Sequence, residues 1–114
     1  MHNKELLKGT LTAIVLKLLA NHGEMYGYEL AQKVKELSGQ KILIKDGSLY
    51  PTLHKLKKEG WLKYREEHIG KRIRKYYFLT KAGKAQERIE SEKIQDFIQT
   101  LRSILFPDFK FQLR

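Results

Sequence analysis

The stretch that decides the fold is residues 46–60, which read DGSLYPTLHKLKKEG. Leu49, Leu53 and Leu56 recur at helical spacing, so a helix formed here is apolar on one side. The opposite side is polar or basic, and Gly60 is a suitable end for the helix. We therefore predict an amphipathic helix that docks through its leucines. Its outward side carries, or is flanked by, Ser48, Tyr50, Pro51, His54, Lys55 and Lys58.

The start of this helix has features that suit a nucleic-acid groove. Asp46 and Ser48 are both of the types that cap helices. Pro51 falls in the first turns, where a missing N–H costs least, so it does not exclude a helix. The N–H groups at the start can point at a phosphate. An ordinary solvated helix shows the same leucine spacing, and the segment that follows favours the nucleic-acid interpretation.

Two strand-like segments come next, Trp61–Glu67 and Ile73–Leu79, both rich in aromatic and branched residues. The connection between them contains Gly70 and suits a hairpin turn. The hairpin gathers basic residues that no core requires, and such a tip can straddle a phosphate backbone or enter a minor groove. These residues are Lys71, Arg72, Arg74 and Lys75.

Outside this region, apolar spacing predicts three more helices. They cover Glu5–Asn21, Tyr28–Leu37 and a last segment that Thr80 caps and that continues to about Leu105. The predicted order is helix, helix, helix, hairpin, helix, which is a mainly α fold with a small β-hairpin. At 114 residues the chain fits one domain with one appended helix.

The charge is concentrated where the hairpin lies. The chain has 23 Lys and Arg against 13 Asp and Glu, a net charge of +10. Residues 46–84 hold eleven basic and four acidic residues, and so carry +7 of that charge. This imbalance favours a polyanionic partner, nucleic acid ahead of an acidic membrane surface.

Other classes of protein fit poorly. With no cysteine and four scattered histidines, the chain has no metal site of the usual spacing and no thiol nucleophile. It also has no Ser/His/Asp constellation and no phosphate-cradling glycine loop, so we expect neither an enzyme nor a cofactor. The most apolar stretch, Leu11–Ala20, is interrupted by Lys17, which excludes a membrane span and favours the cytoplasm.

Two helices predict a homodimer. The first is apolar on most sides, and in so small a chain a partner subunit is the economical source of a second covering surface. The last carries an apolar seam at spacings of four, three and four, as helices that pair with another helix do. The interface residues we expect are Leu7, Leu11 and Ile14 on the first helix and Ile94, Phe97, Ile98, Leu101 and Leu105 on the last.

The sequence resembles the PadR-type family of transcriptional regulators, the phenolic-acid repressors. The resemblance covers about residues 6–84 and rests on motifs that occur in the family's order. They are LKGTL at 7–11, GYEL at 27–30, GSLYPTL at 47–53 with Leu56 and Glu59–Gly60, and RKYYFLT at 74–80 with Gly83. The single C-terminal helix is similar to the family's short subgroup.

The resemblance implies a winged helix-turn-helix over residues 1–84 and a C-terminal dimerisation helix over 85–106. The phenylalanines at the end of this sequence predict an apolar tail over 107–114. The resemblance also implies a homodimeric repressor that binds double-stranded DNA. The third helix would lie in the major groove, the hairpin would be the wing, and the first and last helices would form the dimer interface. Some family members bind small aromatic effectors between the subunits. The alternative that the residues leave open is a winged-helix module that binds RNA or protein without operator specificity.

Overall fold

The computed structural model describes residues 7–108, and it contains four long helices and one hairpin in the predicted order. The predictions for residues 1–6, and for the part of the apolar tail from residue 109 onward, concern residues outside this range. The elements are α1 (Leu11–His22), α2 (Gly27–Leu37), α3 (Asp46–Lys58), β1 (Leu62–Ile69), β2 (Arg72–Leu79) and α4 (Lys81–Leu105). None of the described helices is long and apolar enough to cross a bilayer.

The predicted first helix is interrupted near its start. Residues 7 and 8 are helical, but a turn at Gly9–Thr10 separates them from α1. The Thr10 hydroxyl and the Thr10 amide both donate to the carbonyl of Leu7, at 2.9 and 3.0 Å. A threonine that bonds back to the preceding turn competes with continued helix, so the prediction of one unbroken helix through Gly9–Thr10 is wrong, while its predicted start at Glu5 lies outside the described residues.

One apolar core holds the helices and the hairpin together. The three leucines of α3 lie at its centre, since none of them is more than 1% exposed. They pack among residues from every neighbouring element, and the deepest of these are Val15, Leu16, Leu30 and Leu62. The side of α3 predicted to dock is therefore the side that is buried.

The apolar surface of α1 is covered in large part by its own chain. α4 packs along α1, and Lys17 of α1 pairs with Glu87 of α4 at 2.6 Å. Leu11 is only 7% exposed within the single chain, while Leu7 and Ile14 are half-buried. The argument that α1 needs a second subunit to cover its apolar surface is thus wrong for Leu11, because intrachain packing that the periodicity does not show already covers it.

The hairpin is longer than predicted. Its strands pair from Leu62 opposite Leu79 out to Ile69 opposite Arg72. Gly70 and Lys71 alone form the turn, and Gly70 has a φ of +64°, a conformation that glycine adopts without strain. The expected five-residue connection is wrong because this tight turn lets the strands pair almost to the tip.

The predicted side-chain cap of α3 is wrong, and the predicted cap of α4 is confirmed. α3 begins at Asp46 itself, Lys45 is the residue at its N-cap, and no side chain caps it, so neither Asp46 nor Ser48 plays the predicted part. Thr80 does cap α4, accepting a hydrogen bond from the Gly83 amide at 3.0 Å. Its hydroxyl also donates to the Gly60 carbonyl at 2.6 Å, which ties the start of α4 to the end of the α3 segment.

Candidate nucleic-acid interface

The outward side of α3 presents the residues that the sequence places there. Pro51, His54, Lys55 and Lys58 are exposed, and Ser48 is half-buried near the helix start. Because the leucines opposite are fixed in the core, this side has a defined orientation relative to the rest of the chain. A helix docked in this way can present side chains to base edges in a major groove.

Tyr50 has a second role that the sequence does not reveal. Its ring lies over Gly27 at the start of α2, so closely that a Cβ on Gly27 would sit 2.8 Å from the ring carbon Cζ. Burial against this backbone, together with nearby Asp46, raises the pKa of the Tyr50 hydroxyl. The side chain is still 45% exposed. It therefore both packs α2 against α3 and contributes to the outward surface.

The tip of the hairpin presents two basic side chains. Lys71 and Arg72 are exposed, at and beside the two-residue turn. Two isoleucines flank them with large exposed fractions, 41% for Ile69 and 53% for Ile73. The tip thus combines cations with apolar side chains, a combination that suits a minor groove.

The other two basic residues predicted for this surface lie further back and on opposite faces of the hairpin. The guanidinium of Arg74 lies over the ring of Tyr26, 4.3 Å from its centroid. The amine of Lys75 lies over the ring of Tyr64 at 4.8 Å, and Lys57 of α3 approaches the same ring at 5.4 Å. Cation–π contacts of this kind hold a side chain in place while its charge stays available to solvent.

One basic residue of the hairpin is largely neutralised. Arg65 donates to both carboxylate oxygens of Glu24 at distances of 2.5 to 3.0 Å, and to Glu67 at 3.4 Å. The hydrogen bond to Glu24 raises the pKa of Arg65, and it lowers the pKa of Glu24. Counting charges along the chain overstates the positive potential here, because the pairing joins residues 41 positions apart.

The expected dimer residues of α4 form an exposed apolar strip. Phe97, Ile98 and Leu105 are each about half exposed and Leu101 is 36% exposed. At 25 residues α4 is about 37 Å long, and its second half extends beyond the core.

Beside this strip lies a groove of about 690 Å³ between α1, the end of α2 and α4. Its walls are mainly aliphatic, with Lys17 as the charged side chain among the lining residues and no aromatic ring among them. Ile94 and Ile14, both predicted for the interface, lie in these walls. Within residues 7–108, no three His, Asp or Glu side chains are grouped as a metal site requires.

The family model for "Transcriptional regulator PadR-like family" matches residues 15–88 of this sequence. The chain belongs to this family. The negative transcriptional regulator PadR of Bacillus subtilis is 36% identical over 60% of the chain, and the transcriptional regulator Rv3488 of Mycobacterium tuberculosis is 38% identical over 58%. The matches span 38% and 59% of those two proteins, so each relative has sequence beyond the shared part.

The solved structures agree on the architecture. A transcriptional regulator from Clostridium thermocellum superposes with a TM-score of 0.83 over 90% of this chain and 99% of that one, at 24% identity, which is a likeness of fold. Bacillus subtilis PadR in complex with operator DNA superposes with a TM-score of 0.62 over 68% of this chain and 44% of that one, at 35% identity. The winged-helix fold and the PadR-type resemblance are thus confirmed.

Proposed function

We propose that this PadR-family chain acts as a homodimeric repressor that binds an inverted-repeat operator in double-stranded DNA. The observation that carries the proposal is α3, whose leucines are buried and whose basic side is exposed. The superposition with a relative solved on operator DNA supports the same use of the fold.

In this proposal α3 reads bases and the wing supplies charge. Tyr50, His54 and Lys55 lie near base edges in the major groove, while Ser48 and Lys58 lie nearer phosphates. Lys71 and Arg72 at the wing tip neutralise the backbone or enter the minor groove. Arg74 and Lys75, which lie over tyrosine rings further back, add positive charge to the two faces of the wing.

Dimerisation through α1 and α4 supplies the symmetry. The exposed strip on α4 and the adjacent groove are apolar surfaces that water solvates poorly. Two copies joined through the strip on α4 present two α3 helices, as an operator with half-sites about 34 Å apart requires. We further propose that a small aromatic effector releases the operator. The groove of about 690 Å³ is in the range of small-molecule sites, which is roughly 300–1,000 Å³.

The test begins with a duplex that the wild-type protein selects from a random pool, and it compares binding to that duplex with binding to random DNA at several salt concentrations. A base-reading contact is worth roughly 1–3 kcal/mol of discrimination, so His54→Ala should narrow the gap between the two duplexes. Arg72→Ala should weaken both together and lower the salt slope by about one.

Two outcomes would count against this proposal. If Arg72→Ala abolishes discrimination while His54→Ala leaves it intact, the wing is the reader and the division of roles is wrong. If the wild-type protein selects no duplex and protects no inverted repeat, the chain is a module for RNA or protein instead.

A further inference from the structure

Four side chains form what we call the arginine–tyrosine ladder, on one face of the hairpin. The rings of Tyr26 and Tyr76 meet in a T-shaped arrangement, with centroids 5.3 Å apart and planes at 68°. Arg74 lies over Tyr26 at 4.3 Å, and Arg65 lies over Tyr76 at 4.4 Å. Arg65 and Tyr76 are directly opposite each other in the strand register. Three of the four side chains, Arg65, Arg74 and Tyr76, therefore belong to the wing, and the fourth, Tyr26, does not.

The side chain of the ladder that lies outside the wing, Tyr26, belongs to the residue just before α2. Its amide donates to the Glu29 carboxylate at 3.1 Å, within the first turn of that helix. The preceding residue, Met25, pairs through its backbone with Tyr77 of β2, with hydrogen bonds of 3.1 and 2.9 Å. Glu24 completes the junction by binding Arg65. The ladder therefore joins the wing to the helix-turn-helix at its root.

This joint bears on where the wing tip lies. A two-stranded hairpin is marginally stable by itself, so its direction depends on what its faces contact. The opposite face is held at Tyr64, between Lys75 of the wing and Lys57 of α3. Arg72 is two residues beyond Arg74 and pairs with Ile69, the last residue pair between β1 and β2 before the turn. A change of tilt at the root is thus carried directly to the tip.

We propose that Tyr26 and Tyr76 are positioning residues, which hold the wing at a fixed tilt so that Arg72 and α3 engage one duplex together. The part of this inference that concerns DNA rests on the proposed function. Sequence analysis does not find it, because Tyr26 and Tyr76 are far apart in the chain and neither carries charge.

The first experiment uses the free protein and needs no DNA. Amide hydrogen exchange is measured across β1 and β2 in Tyr26→Leu, Tyr26→Phe and Tyr28→Leu. Tyr28 controls for the loss of a neighbouring ring, because it is 63% exposed, stacks on the Tyr26 ring with centroids 6.4 Å apart, and has no cation over its own ring among residues 7–108. Tyr26→Leu should speed exchange in the hairpin by about threefold to fivefold, as the loss of a cation–π contact implies. Tyr26→Phe and Tyr28→Leu should leave it unchanged.

The second experiment is a double-mutant cycle on the selected duplex. If Tyr26 acts through the wing, Arg72→Ala should weaken binding by a smaller factor in Tyr26→Leu than in the wild-type protein. The factor should return in Tyr26→Phe, and in Tyr28→Leu it should equal that of the wild type. A protein whose ladder merely adds stability would show the full factor in every background.

The results separate this inference from the proposed function. Hairpin exchange unchanged in Tyr26→Leu, or an Arg72→Ala factor that is undiminished there, would overturn the positioning role. A wild-type protein that selects no duplex would instead overturn the proposed function, while the exchange measurement would still decide whether the ladder holds the wing.

Discussion

Gly27 and Gly83 both lie in the first turn of a helix, and their replacement by alanine should have different effects. Gly83→Ala should lower stability, whereas Gly27→Ala should weaken DNA binding and change stability little. A Cβ on Gly83 of α4 would overlap the backbone carbonyl oxygen of Trp61 and lie 3.3 Å from a methyl of Leu79. That carbonyl also accepts the Thr80 amide at 3.1 Å, so it cannot move without loss of a hydrogen bond. The atoms nearest to a Cβ on Gly27 would instead belong to the far end of the Tyr50 side chain, which is 45% exposed, so we expect rotation of this side chain to relieve the overlap.

The expected magnitudes follow from these contacts. For Gly83→Ala, overpacking costs about 1–3 kcal/mol and the strained hydrogen bond about 1 kcal/mol, against a gain of up to about 1 kcal/mol in helix propensity. The free energy of unfolding should fall by about 2 kcal/mol. Gly27→Ala should change it by less than about 1 kcal/mol, because the same propensity gain offsets the lost ring contact. Displacing Tyr50 should nevertheless weaken binding to the selected duplex by at least about fivefold.

Urea unfolding at one fixed protein concentration measures the first effect, and fluorescence anisotropy with the selected duplex measures the second. Gly47→Ala is the matched control, because it also lies in a first helical turn and its Cβ would meet nothing within 4 Å. It should leave stability equal or slightly increased. If Gly27→Ala unfolds as easily as Gly83→Ala, Tyr50 is locked in the fold. If it binds the duplex as the wild type does, the position of Tyr50 has no part in recognition.

Two further predictions concern α4. Leu101→Asp places a charge in the proposed apolar interface, so sedimentation equilibrium at micromolar concentration should show monomer where the wild type shows dimer, and a variant that stays dimeric would exclude α4 as the interface. Glu87→Gln should lower the free energy of unfolding by about 1 kcal/mol at pH 7, because Lys17 and Ser91 hydrogen-bond to the carboxylate and Lys17 is half exposed. Those hydrogen bonds lower the pKa of Glu87, so its stabilisation is present above the ordinary value of 4.5 and is lost as the pH falls through the folded-state pKa. The difference in free energy of unfolding between variant and wild type should therefore shrink as the pH is lowered below 4.5, and a difference that is constant with pH would refute the argument.

What sequence analysis predicted correctly depends on local pattern. The two sides of α3 follow from the spacing of its leucines, and the cap at Thr80 follows from a residue type in front of an apolar run. The break at Gly9–Thr10 was missed although it is also local, because apolar spacing continues through it while the threonine hydroxyl competes for the backbone.

What was missed in the candidate site is long-range. Glu24 reaches Arg65, Tyr26 reaches Arg74, and Tyr50 reaches Gly27, and in each case the partner is set by how elements cross. Periodicity places a side chain on a face of its own element, but it does not say what lies opposite. The charge at residue 65 was therefore counted as available, and Tyr26 and Tyr76 were given no part in the candidate site.

The attachment of α4 gives these contacts a shared consequence. Thr80 bonds to the Gly60 carbonyl, the Trp61 carbonyl abuts Gly83, and the Trp61 amide bonds to Leu56 at the end of α3. The start of α4 is thus joined to the end of α3 by hydrogen bonds and a close contact, which restrict movement of one helix relative to the other. In a dimer that pairs through α4, the angle between the two copies of that helix sets the separation of the two α3 helices. A change in how α4 pairs is then also a change in fit to half-sites at fixed spacing, with no rearrangement required inside the core.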